Sequence, residues 1–516
     1  MLDIPQNTIP DIWPTHARHH PAGLALVFDE RSYDWGAFDR LVSRAAQGFR
    51  DLGVRKGERV AFYLRNSPDY LFMICGALAA GACVAPLSTL LTHRQAIDLA
   101  NDSGARLFFC DEDVSDAFAA ARREFTHATT FLTAGEKPGW QSWSRLFAQA
   151  PDPSWRSGLA LDDESNINYS SGTTGIPKGV IQSHRARQHW ALTFAAGLGI
   201  DDGSISLCTT PLYSNATWLL LLPWLLTGGT AVIMSRFDTH AFRDTVERWK
   251  VSHTFMVPTQ FRRLLDELED GAFDHSSMSC FLTAGSPMSA ATKLEVMNRL
   301  GPKLYELYGM SEGGATLAKP RDLARVPSTV GRPMPGFEVR ILGDSGTDLP
   351  PGADGEIAFY GGWAMSGYNN NDAATRETIW RDGAGRTFIK SGDIGRIDEE
   401  GLVYVHDRKK DMIISGGFNV FPIDIERVLE THPLVADVAV IGVPHPKWGE
   451  TVCGIVVLAD GGEADPEEIR SWANARLAAT QRIARIVIEK ELPRNPTGKV
   501  LKRTLRDRYA NSAAPS

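Results

Sequence analysis

The chain has 516 residues, 43% of them hydrophobic and 22% charged, with a formal net charge of −8. Such a length exceeds what one hydrophobic core organises, so two or more domains of ordinary globular composition are expected. The negative balance argues against a nucleic-acid partner, whose phosphates want a basic face. The six cysteines, Cys75, Cys83, Cys110, Cys208, Cys280 and Cys453, lie far apart with no CxxC pair. Neither a zinc site nor a disulfide framework is indicated, and a reducing cytoplasm is the expected setting. Met1 to Arg18 shows no apolar core flanked by basic residues, so no signal peptide is expected. The most apolar run, Trp218 to Leu226, is too short to span a bilayer and contains Pro223, so no transmembrane segment is expected.

Asp34 to Leu52 shows helical spacing, with Trp35, Phe38, Leu41, Ala45 and Phe49 on one side and Gly53 as its stop. Val60–Leu64 reads as a strand, Tyr70–Ala80 as an apolar helix and Cys83–Leu87 as a second strand. A helix from about Thr92 to Asn101 precedes a third strand, Leu107–Cys110. Strands that alternate with helices imply parallel βαβ units. The pattern returns with strands at Ala231–Met234, Thr254–Val257 and Cys280–Thr283, and helices at Thr259–Leu268 and Ser289–Leu300. Beyond about residue 410 a small α/β unit is expected. Its strands are Val438–Ile441, Cys453–Val457 and Arg485–Ile488, with a helix from Pro466 to Ala478 and a basic helix from Val500 to Tyr509. Pro466 suits a helix start, and Glu467 and Glu468 complement its first turn.

Between the two α/β layers lies Tyr169-Ser-Ser-Gly-Thr-Thr-Gly-Ile-Pro-Lys-Gly-Val180. Gly172, Gly175 and Gly179 allow tight turns and close approach of backbone to a ligand. Ser170, Ser171, Thr173 and Thr174 offer donors, and Lys178 adds a positive charge. Donors and a cation on a backbone without bulk make a phosphate cradle. The P-loop order, Gly-Lys followed by Ser or Thr, is absent, because Lys178 precedes Gly179 and Val180. A flexible linker is the bland alternative, and a lone Pro-Lys-Gly between apolar segments is foreign to linkers.

Further along, Gly285, Ser286 and Pro287 precede the block Leu304-Tyr-Glu-Leu-Tyr-Gly-Met-Ser-Glu312. In it Tyr308 offers a flat face for a purine, and Gly309 and Met310 lead to Ser311, a donor to phosphate oxygen. Glu312 is a hard carboxylate suited to magnesium. Gly361 to Tyr368 follows, then Phe388 to Asp393, where Asp393 can accept from two ribose hydroxyls. His406 to Asp411 is a charged break, and Gly416 and Gly417 follow it. The turn Pro493-Arg-Asn-Pro-Thr-Gly-Lys499 closes the series.

In order and spacing these blocks closely resemble the adenylate-forming superfamily: acyl-CoA synthetases, adenylation domains of peptide synthetases and beetle luciferases. The resemblance runs from the first helix to Lys499. It implies a large N-terminal domain of several α/β subdomains, residues 1–409, and a small mobile C-terminal α/β domain, residues 410–516, turning about Lys410. It implies that Thr173, Thr174 and Lys178 hold pyrophosphate oxygens and Glu312 holds Mg2+. By the same resemblance Tyr308 packs on adenine, and Asp393 and Arg408 fix the ribose. Lys499 bridges the carboxylate and the α-phosphate, and Gly416 and Gly417 line a pantetheine tunnel. The implied substrates are ATP, coenzyme A and a carboxylic acid, with a homodimer left open.

One departure stands out. Tyr213, Ser214, Asn215 and Trp218 align with the acyl-pocket block, and Ser214 replaces a common His. No acidic residue lies between Tyr213 and Trp218, and no Lys or Arg between Pro211 and Ser235. A buried ammonium or second carboxylate without a partner is costly, so a hydrophobic monocarboxylic acid, medium-chain or aryl, is the expected substrate. The alternatives are an adenylation enzyme that loads a carrier protein and a non-catalytic nucleotide-binding relative. The second is disfavoured because Lys178, Glu312 and Lys499 are all present.

Overall fold

A computed structural model describes residues 7–152, 158–170, 177–268, 273–415, 418–459, 464–494 and 500–509, with backbone alone at 170 and 419. The helix Trp35–Asp51 starts where the Asp34 side chain accepts from the Ala37 amide, and it ends before Gly53, whose φ is +77°. Its apolar stripe buries Trp35, Phe38, Ala45 and Phe49 fully, while Leu41 is half-buried. Trp35 stacks on Trp224 of the helix Trp218–Thr227, their ring centroids 5.5 Å apart. The apolar run Trp218 to Leu226 is thus a core helix, as its length requires.

Among the described residues the strands form four sheets. Nine strands make the first, in the order Arg332–Pro333, Ala315–Ala318, Leu304–Gly309, Cys280–Thr283, His253–Met256, Ile205–Cys208, Thr230–Ile233, Leu24–Phe28 and Arg31–Asp34. Its centre is parallel and its edges antiparallel. The second runs Gly367–Tyr368, Lys178–Ser183, Glu164–Ser170, Cys83–Pro86, Arg59–Tyr63, Leu107–Cys110, Thr130–Thr133 and Gln141–Ser142. Here too the parallel part is the expected βαβ unit, and the antiparallel hairpin Glu164–Ser170/Lys178–Ser183 carries the glycine-rich stretch.

The βαβ pattern does not extend to the third sheet. Glu338–Leu342, Gly355–Tyr360, Thr387–Ile397, Ile379–Arg381 and Val403–Arg408 are all antiparallel, because their connections include turns too short for a crossover. The fourth sheet joins Phe418–Val420, Ile413–Ser415, Gly449–Leu458 and Val435–His445, with Ile483–Glu489 parallel to Gly449–Leu458. Among the helix ends that differ from expectation, two have a visible cause. The helix Pro466–Asn474 stops at Asn474 instead of Ala478, because the Asn474 side chain bonds both backbone groups of Ile483. The last helix is Lys502–Tyr509, since Val500 is held in a bridge with Arg494.

All six cysteines are buried and free of disulfides. Burial pushes every thiol pKa up, Cys453 to about 11 and Cys208 to about 12, the others further. Among the described residues no helix is long and apolar enough to cross a membrane.

Candidate active site

Strand pairing builds the site. Lys178 lies across from Ser170, the last pair of their hairpin before the connecting segment. On the other side of the same strand Val180 pairs with Tyr368. This register sets the Tyr368 ring against the Lys178 ammonium, 4.7 Å from Nζ to the ring centroid, in a cation–π contact. The Tyr368 hydroxyl donates to Glu312 Oε1 at 2.8 Å. Burial, and then the Glu312 charge, raise the Tyr368 phenol's pKa, so it remains a donor. Glu312 sits in the turn after strand Leu304–Gly309, where its carbonyl accepts from the Met365 amide.

A second register supplies the other half. Asp393 and Arg408 face each other across the antiparallel pair Thr387–Ile397/Val403–Arg408. Arg408 Nε lies 2.8 Å from Asp393 Oδ1, and the Tyr308 hydroxyl donates to Asp393 Oδ2 at 2.7 Å. Asp393 is 6% exposed, in a strand and not in a turn. Each of its oxygens holds one donor and keeps a further lone pair for a ligand. Burial, and then Asp393, push the Tyr308 phenol well up. Burial disfavours the Arg408 charge, but Asp393, Tyr308 and Glu312 together hold its pKa above the ordinary value.

Ser311 links the two halves to the acyl-pocket block. Its carbonyl accepts from Gln182 Nε2, and its Oγ accepts from Asn215 Nδ2 at 2.8 Å. Asn215 Oδ1 accepts in turn from Asn168 Nδ2 at 2.8 Å and from Arg187 Nη2 at 3.0 Å. Burial pulls the Arg187 pKa down to about 9, which leaves it charged at neutral pH. Tyr213 and Ser214 are half-buried in the turn that leads to Asn215. Trp218 is mostly core: its indole donates to the Leu212 carbonyl, and it borders a cavity of about 30 Å³ with Arg187, Asn166 and Asn168. The turn with Gly285, Ser286 and Pro287 follows the buried strand Cys280–Thr283, with Gly285 at φ +91°. Gly309 ends its strand, and the Met310 amide donates to the Gly314 carbonyl.

Lys410 lies exposed in the turn between strands Val403–Arg408 and Ile413–Ser415. Together with Asp411, Glu450, Arg503 and Arg506 it borders a cavity of about 400 Å³. Ser171, Gly172, Thr173, Thr174, Gly175, Gly416, Gly417 and Lys499 lie outside the described residues, as does the Ser170 side chain.

The structure thus brings Lys178, Tyr308, Glu312, Asp393 and Arg408 into one connected region. It adds Tyr368, Gln182, Asn168 and Arg187, which the motifs did not single out. For Arg187 a signal was present: residues 187, 190, 191 and 194 form one apolar helical stripe, and its first position carries a charge. Among the described residues no group of three or more His, Cys, Asp or Glu could hold a metal by itself. A lone carboxylate such as Glu312 suits a magnesium ion that takes its remaining ligands from phosphates and water.

The family model of the AMP-binding enzyme matches residues 13–369, and that of the AMP-binding enzyme C-terminal domain matches residues 424–499. The chain is 32% identical to the fatty acid–[acyl-carrier-protein] ligase ScoC of Streptomyces coeruleorubidus, over 97% of this chain and 96% of that one. It is 33% identical to a feruloyl-CoA synthase of an Amycolatopsis species, over 96% of this chain and 98% of the other. Its fold matches ATP-bound MatB from Rhodopseudomonas palustris with a TM-score of 0.88 at 27% identity, over 98% of this chain and 100% of that one. From family match, near full-length kinship and shared fold together, the chain belongs to the AMP-binding enzymes, in the carboxylate–CoA ligase branch of the adenylate-forming superfamily.

Proposed function

We propose that this protein is an ATP-dependent carboxylate–CoA ligase acting on a hydrophobic monocarboxylic acid, medium-chain or aryl. In the first half-reaction the carboxylate oxygen bonds to the α-phosphorus of ATP and the bond to pyrophosphate breaks. In the second, the thiol sulfur of coenzyme A bonds to the acyl carbon, AMP leaves, and the thiol proton is lost. The observation that carries this reading is the convergence of Lys178, Tyr368 and Glu312 with Tyr308, Asp393 and Arg408. One cluster offers a cation and a lone carboxylate for a polyphosphate; the other offers an aromatic face and acceptor lone pairs for a nucleoside.

Two anions must meet in the first step, so the site works by placing charge and orienting reactants. Lys178 would neutralise pyrophosphate oxygens, and Tyr368 holds Glu312 where a carboxylate is needed. Magnesium bound with the triphosphate would neutralise further oxygens, with Glu312 as the protein ligand. Asp393 accepts from the ribose, and Arg408 holds that carboxylate in place. Lys499, by resemblance, bridges the reacting oxygens. The C-terminal unit from Lys410 onward would then turn, withdrawing Lys499 and bringing Gly416 and Gly417 to the thiol.

Transfer to a carrier-protein thiol is the second reading, supported by the similarity to ScoC. The test is pyrophosphate release and thioester formation across octanoate, benzoate, cinnamate, acetate, malonate and amino acids, with coenzyme A or a phosphopantetheinyl carrier protein as acceptor. An apolar monoacid with coenzyme A is the expected best pair. A diacid or amino acid as best substrate would overturn the substrate class, and a carrier protein as sole acceptor would favour the second reading. Lys499→Ala is expected to slow acyl-AMP formation about a hundredfold or more and to spare thioester formation from supplied acyl-AMP. Equal loss of both half-reactions would contradict its role.

A further inference from the structure

Arg187 is 5% exposed, and among the described residues it has no carboxylate partner. It lies on the inner face of the helix His184–Leu198. The Trp190 ring lies 5.0 Å from the guanidinium carbon, and Nε donates to Asn166 Oδ1 at 2.6 Å. Nη2 donates to Asn215 Oδ1 at 3.0 Å, while Nη1 has no partner. Burying a charge without a counter-ion is costly, and a long apolar side chain would fill this space without that cost. The charge therefore has work beyond packing.

That work can be read from hydrogen-bond polarity. A guanidinium donates and never accepts. The Asn215 atom it touches must therefore be the carbonyl oxygen, which also receives the Asn168 amide at 2.8 Å. Turning the Asn215 carboxamide over would set its NH2 against the guanidinium, which can only donate. With the oxygen held, Nδ2 faces Ser311 and donates to Oγ at 2.8 Å. Ser311 has one proton, and its oxygen is already accepting. Gln182 fixes the Ser311 backbone by bonding its carbonyl. Among the described residues no other acceptor takes the Ser311 proton, which is left to point at a ligand.

We infer that Arg187 is a positioning residue: through Asn215 it sets the direction of the Ser311 hydroxyl, so that this hydroxyl donates to an anionic oxygen of the reacting carboxylate–phosphate group. The inference rests on the adenylating reading above. The relay starts on a helix, crosses the acyl-pocket block and ends in the Tyr308–Glu312 motif, three segments distant in sequence. Asn166 and Asn168, two residues apart on one face of strand Glu164–Ser170, form its rear wall.

The test is a double-mutant cycle on the full-length enzyme, read by single-turnover pyrophosphate release with the best acid of the panel. Arg187→Met is expected to slow adenylation about tenfold or more with the KM for ATP within about threefold of the parent. In the Ser311→Ala background the same substitution is expected to change the rate by less than about twofold, because the hydroxyl it directs is gone. Equal proportional losses in both backgrounds would mark Arg187 as merely structural and overturn the relay. If Ser311→Ala adenylates as fast as the parent, the site assignment of the previous section falls as well.

Asn215→Asp keeps the test decisive should Arg187→Met fail to fold. The new carboxylate still accepts from Arg187 and Asn168, and it pairs the buried charge, so unfolding stability is expected to hold or rise. It cannot donate to Ser311 and instead draws the hydroxyl proton toward itself, so adenylation is expected to fall about tenfold or more. An Asn215→Asp enzyme of parental activity would overturn the inference.

Discussion

Asp393 shows how one carboxylate ties two elements together at the proposed nucleotide site. Tyr308 donates to one oxygen and Arg408 to the other, so its orientation is set before any ligand arrives. Asp393→Asn removes the charge that compensates Arg408 and replaces an acceptor by a donor. The expected loss is about 1–3 kcal/mol of folding stability together with a rise of about tenfold in the KM for ATP, measured by urea denaturation and initial rates. An unchanged KM would remove Asp393 from the nucleotide site. At this scale the sequence marks candidates where a residue sits inside a compact motif, as Lys178, Glu312 and Asp393 do. It was not legible where a residue arrives by register or by helix packing. Tyr368 reaches Lys178 only because its strand pairs with Val180, and no spacing in the chain announces that pairing.

Three elements meet behind the turn that holds Lys410. The strand Val403–Arg408, the helix Pro422–Leu429 and the helix Lys502–Tyr509 join where Lys502 lies 3.7 Å from Asp407 and 2.8 Å from Glu426. Arg506 pairs with Asp411 nearby at 2.7 Å. The last helix is thereby bound to both flanks of the turn. Burial lifts Asp407 from its ordinary 3.8 to about 6, with Lys502 opposing and Glu426 and Asp411 adding to the rise. The folded chain therefore holds a proton here that the unfolded chain has released. That contribution to stability is complete below pH 3.8 and is lost as the pH rises through about 6. Compared with Asp407→Asn, the parent is expected to gain about 1–3 kcal/mol between about pH 8 and about pH 4, seen in urea midpoints. A pH-independent difference would refute the raised pKa. Several helices and buried strands were read from periodicity, but others such as His184–Leu198 and Ile205–Cys208 were not, and their ends depended on partners that periodicity does not show. Asn474 ends its helix by bonding Ile483, and Val500 is taken by Arg494.

For the molecule as a whole, the proposed cycle needs the C-terminal sheet and its helices to take up two positions against the larger part. The turn at Lys410 is where backbone angles would change. Lys410→Pro restricts φ there and is expected to leave acyl-AMP formation within about threefold of the parent while slowing thioester formation about a hundredfold or more. Parental overall turnover would count against rotation at this point. The α/β layering was visible in the chain, but the antiparallel third sheet was not, because only pairing reveals it. The burial of all six cysteines bears on how such experiments can be run. With each thiol enclosed and its pKa raised, the folded protein offers almost no thiolate to solvent. A chromogenic thiol reagent added to samples withdrawn over time would then titrate unconsumed coenzyme A with no background from the folded enzyme. Ligation becomes countable as lost thiol, sample by sample, and a thiol count above the coenzyme A supplied reports unfolding.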